Sequence, residues 1–393
     1  MVKRAVLVGC NYPGSRCPLR GCVNDVTNMN KLLIDVYGFE KKNIMFMVDT
    51  DEKSVKPTGK NIVHYLGKAI QVSKSGDVLY FHFSGHGGQI PAESGDQEDD
   101  GEDECIYPAD LNPMTEFRRR DSSLACADDT FRLLLADLNP GVNFTFVSDS
   151  CHSGGLLDSQ DLQVGMGELG QVGKETEATS GEASMREEQK ADRRLPTEIL
   201  IQELADASGR EVKLGTIRST LYQLFREDTS PTVKVFVKNM AGRLEDGPPP
   251  EDWESSYNEV GVAALTHLKE IWDDETIDND EYFRSARAVD GPLNFNGHAN
   301  AKPDGQRLPP STGTLVSGCQ SNQTSADVPG WGGAYGALSN AILKLVKHHS
   351  GKITNKQLVN GCREIMVETQ LDQRPCLYCT KEKVNANFIC DLK

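Results

Sequence analysis

An α/β protein with a mostly parallel central sheet flanked by helices is what this sequence predicts, and three observations carry that expectation. Over the first 150 residues, short apolar runs that end in turn residues alternate with segments whose apolar residues recur at helical spacing. The last 80 or so residues return to the same kind of pattern after a long interruption. The interruption is rich in Gly, Glu, Ser and Lys and poor in large apolar side chains between residues 160 and 192, which predicts a partly disordered linker.

The elements follow in order. Residues 4–9 form a short apolar run closed by Gly9, hence a first strand. Residues 24–37 carry Val26, Met29, Leu32, Leu33 and Val36 at helical spacing, with Gly38 as the stop. Residues 43–48 read as the second strand, and 58–72 as a helix with Ile62, Tyr65, Leu66 and Ile70 on one face. Residues 77–83 are strand three and 143–147 a later strand, with a short helix over 131–138 between them. Helical patterning resumes over 195–240, and Pro- and Gly-containing breaks fall at 247–250 and 303–312. Near the end, 314–316 reads as a strand and 335–348 and 356–367 as helices. The chain divides into 1–158, a linker region 159–309, and 310–393.

Composition narrows the function classes. Of 393 residues, 38% are hydrophobic, enough for a sizeable core. The formal charge of −16 excludes a general binder of nucleic-acid backbones and suits basic partners and hard cations. No stretch approaches the roughly 20 apolar residues of a membrane span, and residues 5–8 are too short an apolar run for a signal peptide. Eleven cysteines, an odd number spread along the chain, point to reduced thiols in a cytosolic or nuclear compartment, with a cytoplasmic location as the default expectation.

Two strand ends carry residues able to do chemistry. Strand three runs into Ser84-Gly85-His86-Gly87-Gly88, and the later strand into Ser148-Asp149-Ser150-Cys151-His152-Ser153-Gly154-Gly155. In an open parallel sheet ligands gather at the carboxyl ends of strands, so His86 and Cys151 are expected at one edge. A cysteine beside a histidine suits thiolate catalysis, and the backbone N–H groups of Gly87 and Cys151 are candidate oxyanion donors. Singly, each has a blander reading: a buried cysteine as a small hydrophobe, a histidine as a core hydrogen-bonder.

The segments 83–87 and 149–155, together with Arg20-Gly21-Cys22-Val23-Asn24-Asp25, Gly318-Cys319-Gln320 and Thr324-Ser325-Ala326-Asp327, resemble the signatures of metacaspases. The catalytic region begins at once and a long insert precedes the last region, a layout that resembles the type II metacaspases of plants and green algae. The resemblance implies a caspase-like fold, a His86–Cys151 dyad, and cleavage of protein or peptide substrates after Arg or Lys. It places Asp25 and Asp149 in the specificity pocket with Cys22 and Ser84 beside them; two carboxylates there would attract a guanidinium or ammonium and repel an aspartate. Asp25 also has a local alternative as a helix cap.

The resemblance further implies calcium, with Asp103, Asp128, Asp129 and Asp158 as ligands. The acidic run 97–104 read on its own is a solvated loop, and residues 116–127 form an insertion before Asp128. Type II members cut their own linker. Here the expected site is Arg193 or Arg194, because the position matching a cleavable lysine in some relatives is Ala205. Read alone, the two arginines are ordinary solvated charges. Cys376-Leu377-Tyr378-Cys379 lacks the second ligand pair that zinc would need and reads as structural. The family expectation for assembly is a monomer. The rivals are another protease of the same clan, caspase-like or legumain-like, and a non-proteolytic calcium-responsive scaffold.

Overall fold

The computed structural model describes residues 1–91, 102–111, 114–115, 130–135, 137–151, 162–164, 191–230, 233, 237, 313–319, 325–330 and 333–392. In chain order the elements are β1 (Lys3–Gly9), α1 (Cys22–Asp35), β2 (Ile44–Val48), α2 (Gly59–Val72), β3 (Val78–Ser84), β4 (Gly87–Pro91), β5 (Glu102–Ile106), β6 (Met114–Thr115), α3 (Thr130–Leu135), β7 (Asn143–Asp149) and β8 (Leu162–Val164). They continue with β9 (Ala191–Asp192), α4 (Thr197–Ser208), α5 (Ile217–Phe225), β10 (Thr314–Ser317), β11 (Ala326–Val328), β12 (Tyr335–Gly336), α6 (Ala337–His348), α7 (Asn355–Glu368) and β13 (Cys376–Tyr378).

The central sheet has seven strands in the order β2-β1-β3-β7-β10-β13-β8. The pairs from β2 to β10 are parallel, and β13 joins both its neighbours antiparallel. Strand alternation explains why both faces are covered. Ala5, Leu7, Tyr80, Val147 and Val316 enter a core with α1, α6 and α7. Their neighbours Val6, Val8, Leu79, Phe81, Phe83, Phe144, Phe146 and Leu315 enter a second core with α2 and α3. Phe81, Phe131 and Phe146 meet there with ring centroids 4.7–6.0 Å apart. Each such side chain contributes about 1.5–3 kcal/mol by leaving water. A third cluster joins Ile90, Cys105 and Tyr107 around the β4–β5 hairpin to Leu195, Leu200, Leu204, Ile217 and Leu221 on and before α4 and α5.

Several boundaries differ from expectation for local reasons. The first helix starts two residues early at Cys22 and gives way before Gly38, whose φ of +66° suits glycine. Tyr335 and Gly336, expected to open a helix, instead pair with β11; Gly336 is extended and caps α6. The end of the acidic run is not a loop: Glu102 to Ile106 pairs antiparallel with Gly87 to Pro91. Cys376, on strand β13, and Cys379 are both buried, and neither is in a disulfide. Most of residues 160–190 and 238–312 lie outside the described residues, as do the insertion 116–127 and the breaks at 247–250 and 303–312. Among the described residues, no helix is long and apolar enough to cross a membrane.

Candidate active site

The register of the central sheet brings the two strand ends together. Ser84 pairs directly with Asp149 across β3 and β7, so His86 and Cys151 each follow that pair by two residues at the same carboxyl edge. Gly87 is where the two segments that follow the strands touch: the Cys151 peptide packs against its Cα, leaving no room for a side chain. Both residues are buried. Tyr12, which the sequence reading passed over, fixes the histidine. Its hydroxyl accepts the His86 N–H at 2.8 Å and its ring lies 4.6 Å from the imidazole.

A segment of the chain itself fills the cleft. Ala191 and Asp192 form β9, antiparallel to β11, and the Arg193 N–H donates to the Ser325 carbonyl at 3.0 Å. Beyond Arg193 the segment pairs with β4: the Gly87 N–H donates to the Arg193 carbonyl at 3.0 Å, and the Leu195 N–H to the Gly87 carbonyl at 3.0 Å. The His86 ring also reaches the Arg193 carbonyl, Nδ1 at 3.1 Å, while Nε2 lies 2.7 Å from the Cys17 carbonyl. Two carbonyls at both nitrogens are fully satisfied only by an imidazolium. Burial nonetheless pushes the His86 pKa down, against the pull of those carbonyls. The Cys151 N–H, the other oxyanion donor expected from the sequence, is not bonded to this carbonyl in the present arrangement, where Gly87 and His86 are its partners.

The Arg193 side chain is wholly buried, whereas Arg194 is exposed. Its guanidinium reaches Ser84 Oγ at 2.9 Å, the Asp149 carbonyl at 2.8 Å, Asp25 Oδ2 at 2.8 Å, Asp327 Oδ1 at 3.1 Å and Asp149 Oδ1 at 3.3 Å. Each carboxylate is itself held. Asp25, in the first turn of α1 and not its cap, accepts the Ser84 hydroxyl at 2.7 Å and the Gly336 N–H at 2.8 Å. Asp149 accepts the Ser339 N–H at 2.8 Å in the first turn of α6, and Asp327 accepts the N–H groups of Arg20 and Gly21 at 2.9 and 3.0 Å. The Cys22 thiol faces the same cluster, and burial pushes its pKa up. Asp25 is pushed up to about 6 by burial, opposed by the Arg193 charge. Burial also works against the guanidinium, but Cys22, Asp149, Asp25 and Asp327 outweigh it and keep Arg193 a cation.

The Cys151 sulfur accepts the Ser325 N–H at 3.0 Å and lies 3.4 Å from Asp192 Oδ1. Burial, the Cys319 thiol and the Asp192 charge all push its pKa up. Asp327 and Asp192 are site residues that the sequence reading did not assign. Asp327 stood inside a quoted signature, and its acidity beside a strand pairing was the available signal. Nothing in the sequence marks Asp192.

Among the described residues, no three His, Cys, Asp or Glu side chains gather as a metal site. Asp103 stands on β5 opposite Ile90, and Asp128, Asp129 and Asp158 lie outside the described residues. The proposed donor set is carboxylate oxygen throughout, which is chemistry that suits calcium. Ala205 is on α4, packed against the third cluster.

Neighbouring strand ends that deliver a thiol and an imidazole to one cleft on this sheet define a class, the caspase-like cysteine peptidases. The family model for the metacaspase, peptidase C14 domain matches residues 3–160. Metacaspase-7 and metacaspase-6 of Arabidopsis thaliana are 37% and 39% identical to the chain, each aligned over 99% of it and 100% of the relative. The chain belongs to the metacaspase family, with the layout of its type II members. Metacaspase-1A of Aspergillus oryzae is 38% identical over 46% of the chain. A crystal structure of the Geobacter sulfurreducens protein GSU0716 shares the fold, with a TM-score of 0.50 over the full length of both chains at 16% identity.

Proposed function

We propose that this metacaspase is a single-chain zymogen that cleaves proteins after Arg or Lys, and that its first substrate is its own Arg193–Arg194 bond. The observation that carries the reading is the pose of Arg193: guanidinium among three carboxylates, carbonyl on the Gly87 N–H, nucleophile alongside. Asp25, Asp149 and Asp327, with Ser84 and Cys22, form the specificity pocket. Such a pocket pairs with a guanidinium or ammonium and leaves an aspartate unpaired among like charges.

In the reaction, the Cys151 thiol gives its proton to His86 and the resulting thiolate attacks the Arg193 carbonyl carbon. The Gly87 N–H holds the developing oxyanion. His86 gives a proton to the Arg194 nitrogen, the peptide bond breaks, and the Arg193 acyl group stays on sulfur until water hydrolyses it. Substrates acting in trans lie as added strands, antiparallel to β11 before the cut and parallel to β4 after it. Calcium is the proposed activator; Asp103, Asp128, Asp129 and Asp158 would hold it, and when bound it would supply positive charge against their carboxylates. The enzyme is proposed to work as a cytoplasmic monomer, in keeping with the absence of a disulfide among the ten described cysteines.

The test uses purified chain and fluorogenic peptides ending in Arg, Lys or Asp, with calcium or a chelator, beside Cys151→Ala. Release after Arg and Lys, dependent on calcium and absent from Cys151→Ala, is expected, with new linker ends at 193 and 194 by mass spectrometry. Release after Asp would overturn the pocket, and chelator-insensitive release the metal. No release and an intact linker would leave the scaffold reading.

A further inference from the structure

The residue before Arg193 stands where the chemistry would begin. A single oxygen, Asp192 Oδ1, accepts from the Cys151 thiol at 3.4 Å and from the Arg194 N–H at 2.8 Å. The first partner is the nucleophile, and the second is the nitrogen that must depart. We propose that Asp192 is a brake on the linker bond and that the site reads charge at this position in every substrate, disfavouring an acidic residue immediately before the Arg or Lys. This inference rests on the proposed self-cleavage and adds its regulation.

The argument is one of charge. A thiol must lose its proton to attack. A carboxylate is a much weaker base than a thiolate, so the shared proton stays on sulfur, and the carboxylate then opposes a second anion beside it. The groups around the sulfur divide by origin. The Ser325 N–H favours a thiolate, and the Cys319 thiol opposes it. Both lie beyond the linker, in the folded body of the protein. Asp192 is the opposing group carried by the linker strand that fills the cleft, so it leaves the sulfur only when that strand is displaced. Packing does not call for an aspartate there: the side chain is exposed and outside all three cores. The Arg194 N–H contact is an Asx turn, which needs an oxygen but no charge. Asparagine supplies that oxygen, so it separates the turn from the brake.

The experiment follows linker ends over time by mass spectrometry in the parent, Asp192→Asn and Asp192→Ala, under one set of activating conditions. Both variants are expected to cut the Arg193–Arg194 bond about tenfold faster than the parent, because a carboxylate at this distance opposes the thiolate. A second arm needs no variant: enzyme already cut at its linker should release a peptide ending Ala-Asn-Arg about tenfold faster than one ending Ala-Asp-Arg. If Asp192→Asn cuts at the parent rate and only Asp192→Ala is faster, the effect belongs to the turn and the proposal is overturned. Equal rates on the two peptides overturn it as well. Failure of parent, variants and both peptides alike would instead remove the self-cleaving enzyme on which it rests.

Discussion

The two ends of the central sheet each hold an arginine against aspartate, and they are built to opposite rules. At the amino edge, Arg4 on β1 meets Asp77 just before β3 at 2.8 Å, and the same carboxylate accepts the N–H groups of Val2 and Lys74 at 2.6 and 3.1 Å. Burial would favour a neutral Asp77, yet these bonds and the Arg4 charge pull its pKa down to about 2. At the carboxyl edge three carboxylates converge on Arg193, and Asp25 is pushed up to about 6. One arrangement meets a single carboxylate with the Arg4 guanidinium, the Met1 ammonium at 3.9 Å and backbone donors. The other gathers more negative charge than its cation neutralises. Such a surplus is a poor way to stabilise a fold, since buried like charges oppose one another. It suits a receptor whose cation comes and goes. That its present cation is carried by a linker, and not by a sheet strand as Arg4 is, fits that use.

Removing the removable cation should give the largest effect. In Arg193→Ala the strand loses its contacts to Ser84, Asp25, Asp149 and Asp327 together, and truncating one partner of such a buried charge cluster costs about 2–5 kcal/mol. Cutting at residue 193 is expected to fall by about a thousandfold, read as the yield of that linker end by mass spectrometry. Arg193→Lys should retain the charge but not the two-nitrogen reach, giving about a tenfold loss. A lysine variant cut no faster than alanine would show that shape, not charge, is what the carboxylates select.

Closing the receptor from the other side should give a smaller loss. Gly336 lies over the guanidinium, and a Cβ there would collide with Arg193 Nη1 and the Asp149 carboxylate. Its backbone, at φ −76° and ψ 136°, is one that alanine adopts without strain. Gly336→Ala is therefore expected to fold. Overpacking of about 1–3 kcal/mol should appear mainly as a rise in KM for Arg peptides of tenfold to a hundredfold. An unchanged KM with a reduced kcat would place Gly336 in positioning α6 and not over the pocket.

The sequence made some of this site legible and hid the rest for identifiable reasons. His86 and Cys151 were placed at one edge because apolar runs ending in glycine turns mark the carboxyl ends of parallel strands, and the Ser84–Asp149 register bears out that edge. Asp25 and Asp149 came from the resemblance. Locally Asp25 looked like a cap, and only the distant Gly336 and Ser84 show that its carboxylate faces elsewhere. Asp327 and Asp192 depend on the β9–β11 pairing, whose two- and three-residue strands are too short to leave a period. The β4–β5 hairpin was hidden similarly, one strand opening on two glycines and the other beginning in an acidic run.

The amino-edge pair supplies the smallest effect and the control for the others. Asp77→Asn, made on a Cys151→Ala background so that no self-cutting intrudes, keeps the shape and removes the charge. The drop of the Asp77 pKa from the ordinary 3.8 to about 2 corresponds to no more than about 2 kcal/mol. Water at this edge screens the pair, so about 1 kcal/mol is expected at pH 7 in urea unfolding. The sign follows from the lowered pKa. The contribution is full above pH 4 and fades as pH falls toward 2, so parent and variant should converge across that window. Asp25 runs the other way: its raised pKa gives a contribution that is present below about pH 4 and lost as pH rises through 6. An Asp25→Asn variant should accordingly differ from its parent in a pH window displaced upward from that of Asp77→Asn. If both variants instead converged with the parent on acidification over the same window, the two edges would be electrostatically alike, and the contrast between a clamp and a receptor would fail.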